Sequence, residues 1–149
     1  MIVLFIGHSA LHNCTALSEK VEKVILEHVP LHVKPLFYCG GYGDFDNLCA
    51  HVCRSLREKN FNCEIVFITP YITQTQQKKI KFFIDTKLYD SVIYPPLEHI
   101  QPRFAISERN KWMIEQADLI ISHVIHSYGG AYKGLEYARK RGKHIINIE

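Results

Sequence analysis

Apolar residues along the chain fall into two alternating patterns. Short continuous apolar runs cover residues 2–6, 36–39, 63–68, 119–124 and 144–148, the length of strands covered on both faces. Between them the period changes to that of a helix. Leu17, Val21, Val24, Ile25 and Val29 recur on one side, with Glu19, Lys20, Glu22 and Lys23 on the other, and Thr15 or Ser18 is placed to cap. Further helices are predicted over 44–59, 106–117 and about 130–141. The last carries Ala131, Leu135 and Ala138 on one face, has Arg139, Lys140 and Arg141 at the negative end of its dipole, and stops at Gly142.

Strands alternating with helices imply right-handed crossovers and a parallel sheet with helices on both faces. The predicted fold is α/β: a Rossmann-like three-layer αβα sandwich with a mostly parallel central sheet of about five strands, in one domain over residues 1–149. The irregular stretch is 69–105, which holds Pro70, Pro95, Pro96 and Pro102. A short helix near 74–84 and a short extra strand at 91–94 are its candidate elements, and it is expected to cover the site.

Composition adds little to this pattern. The chain has 149 residues, is 47% hydrophobic and carries a net charge of +3, which excludes disorder and a disulfide-stapled mini-protein. That charge is too small for a dedicated nucleic-acid binder, so nucleic acid is not the expected partner. No apolar run reaches the roughly 18–20 residues of a membrane span, and the first one is too short for a signal peptide. Five cysteines (Cys14, Cys39, Cys49, Cys53 and Cys63) are an odd number set in apolar runs, which suggests reduced thiols in a cytoplasmic protein. Cys49 and Cys53, with His51 between them, are either half a metal site or core filling at helical spacing. No cofactor is implied.

In an open parallel sheet, ligands bind beyond the carboxyl ends of the strands. Gly7-His8-Ser9 follows the first strand, Gly40-Gly41-Tyr42-Gly43-Asp44-Phe45-Asp46 the second, and His126-Ser127-Tyr128-Gly129-Gly130 the 119–124 strand. Two glycine loops therefore precede helices, where backbone N–H groups and the helix dipole favour an anion. Asp44 and Asp46 would repel a phosphate at the first loop. The second has no acid and adds Lys133, so a phosphate is expected at Gly129 and Gly130, with Asp46 turned to ribose hydroxyls. Neither loop is a dinucleotide fingerprint or a Walker motif. Tyr42, Tyr128 and Trp112 are candidates to stack a base.

Four motifs in this order, Gly7-His8, Gly40-Gly41 with Asp46, Arg109-Asn110-Lys111-Trp112-Met113, and Gly129-Gly130, resemble the SLOG superfamily of Rossmann-like nucleotide-binding proteins, above all its small single-domain bacterial and phage members. The resemblance spans nearly the whole chain. It implies a nucleotide or nucleotide-derived small molecule as ligand, held by a sensor or sequestering module. It also implies a possible homodimer through the 109–113 helix. The LONELY GUY phosphoribohydrolases of that superfamily suggest an alternative, an N-glycosidase acting on a nucleoside 5′-monophosphate or NAD-derived nucleotide. Their arginine corresponds to Arg109 and their glutamate to Glu136, while Asn110 stands for their lysine and Tyr132-Lys133 for their Gly-Thr. In that reading Glu136 and Arg109 are catalytic. Gly7, His8, Gly40, Gly41, Asp46, Arg103, Arg109, Asn110, His126, Ser127, Gly129, Gly130 and Lys133 make up the binding set, with no metal. A third branch implies single-stranded DNA binding, for which the Lys78, Lys79, Lys81 run is the one basic cluster in 69–105.

Overall fold

The computed structural model describes residues 1–12 and 15–149. Six strands form one sheet: β1 (Ile2–Gly7), β2 (Leu36–Cys39), β3 (Glu64–Ile68), β4 (Ser91–Ile93), β5 (Leu119–His123) and β6 (Ile145–Asn147). Their order is β4-β3-β2-β1-β5-β6, and every pairing is parallel. Five helices connect them: α1 (Thr15–His28), α2 (Asp44–Glu58), α3 (Gln74–Asp85), α4 (Ala105–Gln116) and α5 (Gly129–Lys140). The architecture is the expected αβα sandwich. The sheet has six strands rather than about five, because 91–93 pairs with β3 as a short edge strand. The helix near 74–84 is also real, so the long irregular connection resolves into α3, β4 and a 3₁₀ turn at Pro102–Phe104.

Strand alternation sorts the core into two halves. Val3, Phe5, Phe37, Ile65, Phe67 and Ile121 face Val21 and Ile25 of α1 and Phe45, Cys49 and Cys53 of α2. Leu4, Tyr38, Val66, Ile68 and Ile120 face Met113 and Ile114 of α4 and Ala138 of α5. The first three crossovers therefore cover one face of the sheet, and the last two cover the other.

Cys49 and Cys53 are fully buried in the first half while His51 is exposed, so the i, i+4 pair fills the core. Burial pushes both thiols up. Among the described residues no cluster of His, Cys, Asp or Glu is arranged to hold a metal ion. Cys14 lies outside the described residues. Thr15 and Ser18, expected as caps, are both inside α1, which starts earlier than the spacing from Leu17 implies. Trp112, a candidate base-stacker, lies parallel to Tyr38 with ring centroids 6.0 Å apart. Arg109 and Met113 of the segment expected at a dimer contact are buried within the chain. Among the described residues, no helix is long and apolar enough to cross a membrane.

Candidate functional site

Sheet order reverses between β1 and β5. The chain leaves β1 toward one face and β5 toward the other, which opens a crevice at their carboxyl ends. A cavity of about 660 Å³ occupies it, a size suited to a small organic molecule. Leu4 and Ile6 of β1 with Met113 and Ile114 of α4 give it an apolar floor. The polar lining comes from the β1–α1 loop (His8, Ser9, His12), from Asp46 of α2, from Arg109 and Asn110 of α4, and from the start of α5.

The two glycine loops differ in their free donors. At α2 the Asp44 N–H donates to the Ser9 carbonyl (2.9 Å) and the Phe45 N–H to the His8 carbonyl (3.4 Å). The Asp44 carboxylate accepts from the Leu11 N–H at 2.9 Å. This helix start is spent on shaping the β1–α1 loop. Gly7 belongs to the same joint: a Cβ there would lie 2.2 Å from Phe45 Cγ, so only glycine lets α2 pack on the end of β1.

The start of α5 is open. Tyr128 precedes it without a side-chain capping bond, and the N–H groups of Gly129, Gly130 and Ala131 have no partner among the described residues. Gly129 sits at φ 90°, a region side chains disfavour, and a Cβ on Gly129 or Gly130 would have no atom within 4 Å. All three residues line the cavity. The two helix starts thus differ in more than their acids. Besides the acids at α2, the donors there are already used by backbone carbonyls.

Arg109 is 3% exposed, and its guanidinium is largely committed. Nη1 donates to the carbonyls of Gly40 (2.7 Å) and Ile68 (3.2 Å), while Nε and Nη2 donate to Asn110 Oδ1 at 3.2 and 3.1 Å. It ties α4 to the ends of β2 and β3. Gly40 thus serves as a carbonyl acceptor, and a Cβ on it would crowd Arg109 and Asp46 at 3.2 Å. Asp46 Oδ2 accepts from the Tyr42 N–H at 3.2 Å. Burial pushes its carboxyl up to about 6, opposed by that N–H and by the positive charge of Arg109.

Four histidines line the cavity: His8, His12, His123 and His126. His8 Nε2 accepts two backbone N–H groups, from Ile125 at 3.1 Å and His126 at 3.3 Å. Desolvation, then the neighbouring His126 and His123, hold its imidazole below the usual histidine value. His123 Nδ1 donates to the Ile148 carbonyl at 2.8 Å, which leaves Nε2 for the cavity side. His126 lies between His8 and Tyr128, with ring centroids at 4.8 and 5.0 Å.

Of the residues predicted from sequence, Gly7, His8, Tyr42, Asp46, Arg109, Asn110, His126, Tyr128, Gly129 and Gly130 line this cavity. The remaining ones do not. Glu136 lies six residues beyond Gly130 and two beyond Gly134, both of which line the cavity. At 100° per residue that turns it to the far side of α5, where it pairs with Arg139. Lys133 and Ser127 are exposed and outside the lining. Arg103 is exposed and packs over the Phe104 ring at 4.7 Å. Gly41 turns the chain after β2 at φ 67°, with Phe67 2.5 Å from where a Cβ would be. Sequence reasoning missed His12, His123 and the apolar floor. His123 was detectable as the last residue of a strand, and Met113 and Ile106 as one turn either side of Arg109. No family model matches the chain, and no curated protein matches its sequence.

Proposed function

We propose that this protein captures a nucleotide or nucleotide-derived small molecule in the β1–β5 cavity, acting as a sensor or sequestering module. One observation carries the reading: three unpartnered N–H groups at the start of α5 open into a cavity with an apolar floor, at the point of strand reversal. The amides suit a phosphate, and the floor of Leu4, Ile6, Met113 and Ile114 suits a flat base. Tyr128, 69% exposed at the mouth and stacked on His126, is placed to cover it. The order of the four motifs supports grouping the chain with the SLOG superfamily.

Titration calorimetry with a panel of nucleoside 5′-monophosphates tests this. Saturable binding of one to one stoichiometry, lost in Gly130→Val, is the expected result; no heat with any nucleotide overturns it.

N-glycosidase activity is the second reading. Its expected carboxylate, Glu136, is turned away, but Asp46 lines the cavity with a carboxyl near 6, the range of a general acid or base. Release of free base from a bound nucleotide, abolished in Asp46→Asn, would favour that reading over capture alone.

A further inference from the structure

His8 is the link between the two loops that flank the cavity. It follows β1, yet its Nε2 accepts the backbone N–H groups of Ile125 and His126, which lie between β5 and α5. Both donors belong to the segment that leads into the Gly129–Ala131 amides. A nitrogen that accepts N–H bonds has its lone pair in the ring plane and carries no proton. The neutral ring must then hold its single proton on Nδ1. Protonation at Nε2 puts a third hydrogen between two donors, and both bonds break.

We infer that His8 is a positioning residue: while neutral it pins the 125–126 segment and so holds the start of α5 open to ligand, and acid releases the pin. Depth and charge around the ring favour the neutral form. His126 and His123 approach it from β5 and the segment after it. Asp44 and Asp46 stand at the start of α2, Arg109 on α4 and His12 on its own loop. Asp46, the carboxylate in the cavity lining, gives up its own charge as pH falls through about 6 and so offers an acid-protonated His8 no counter-charge. Burial and the two histidines hold the His8 imidazole below 6.5, so the pin is complete above pH 6.5 and is lost as pH falls through the lowered value. The acid-sensitive element is thus the loop carrying the anion donors. Its consequence for ligand affinity rests on the capture reading above.

Nitrogen NMR of the full chain reads the pin without any ligand. His8 is expected in the Nδ1–H tautomer at pH 7.5, with the Ile125 and His126 amides protected from hydrogen exchange. Their protection factors should fall about tenfold per pH unit below the His8 pKa, the slope of one proton. In His8→Gln the Oε1 can take the place of Nε2, accept the same bonds and never titrate, so protection should persist in acid. His8→Ala should lose it at every pH. An Nε2–H tautomer, or the same acid loss in wild type and His8→Gln, overturns the inference. Calorimetry with adenosine 5′-monophosphate at pH 7.5 and 5.5 adds the functional arm. Wild type should lose more affinity on acidification than His8→Gln, by up to about tenfold, a comparison that cancels the titration of the phosphate itself. Matching losses overturn the inference while binding upholds the capture reading. Absence of binding with the NMR signature intact refutes nucleotide capture and leaves the pin standing.

Discussion

The Arg109 guanidinium donates to the Gly40 carbonyl at 2.7 Å, across 69 residues of sequence, and this bond fastens α4 to the end of β2. The same Nη1 reaches the Ile68 carbonyl, and Nε and Nη2 share Asn110 Oδ1. A residue expected in both the catalytic and the binding sets is also the brace that holds α4 against β2 and β3. Its burial makes that role demanding, since each carbonyl left unpaired there has no water to replace the donor.

Arg109→Lys is therefore expected to cost about 3 kcal/mol of folding stability despite keeping the charge. An ammonium cannot span two carbonyls and the Asn110 amide oxygen at once. Arg109→Met should cost a similar amount. Urea unfolding measures both, and full stability in the lysine variant would contradict the brace.

Asp46 contributes a pH dependence to folding. Its folded-state value, about 6, lies above the unfolded 3.8. Between those values the folded chain retains a proton that the unfolded chain releases. The resulting stabilisation is full below 3.8 and gone once pH passes about 6. Asp46→Asn, which keeps an acceptor for the Tyr42 N–H, should be more stable than wild type by about 2 kcal/mol at pH 8. The two should converge at pH 3.5. Denaturation curves at both pH values decide it, and a destabilised variant at pH 8 would mean that the ionised pair with Arg109 dominates instead.

Two glycines separate packing from binding. Gly7→Ala drives a methyl into the Phe45 ring and should destabilise by about 3 kcal/mol, read as a lowered melting temperature. Gly130→Ala meets open space and should leave stability within about 0.5 kcal/mol, while its methyl intrudes on the cavity side of α5. Nucleotide affinity in Gly130→Ala should fall about tenfold.

Glu136→Gln should change neither. Its partner Arg139 lies on the same exposed stretch of α5, and such pairs are worth under about 1 kcal/mol. Unchanged calorimetric affinity is the expected readout. Loss of binding or of base release in this variant would return Glu136 to the site.

The local elements were legible because their causes are local. Ile2 to Ile6 form an unbroken apolar run, and a strand buried on both faces needs one. Leu135 and Ala138 recur at helical spacing with basic residues at the end of α5, and they are the residues that become buried. Even the contrast between the two helix starts was legible, since Asp44 and Asp46 stand in the first turn of α2 and no acid in that of α5. The edge strand β4 was less visible because three residues carry too short a pattern to separate from a turn.

Tertiary structure alone decided how those pieces meet. That β1 lies beside β5 puts His8 within 3.1 Å of the Ile125 N–H, although 117 residues separate them. That α4 crosses the ends of β2 and β3 makes Arg109 a brace between them. The turn of α5 about its axis sends Gly130 and Gly134 into the cavity and Glu136 away from it. Periodicity specifies which residues share a face, because that is a property of one element. It carries no record of which element that face will meet, because the hydrogen bonds that order the strands are the same for every sequence. Side-chain packing between distant segments chooses among those orders, and with them the groups that surround the cavity.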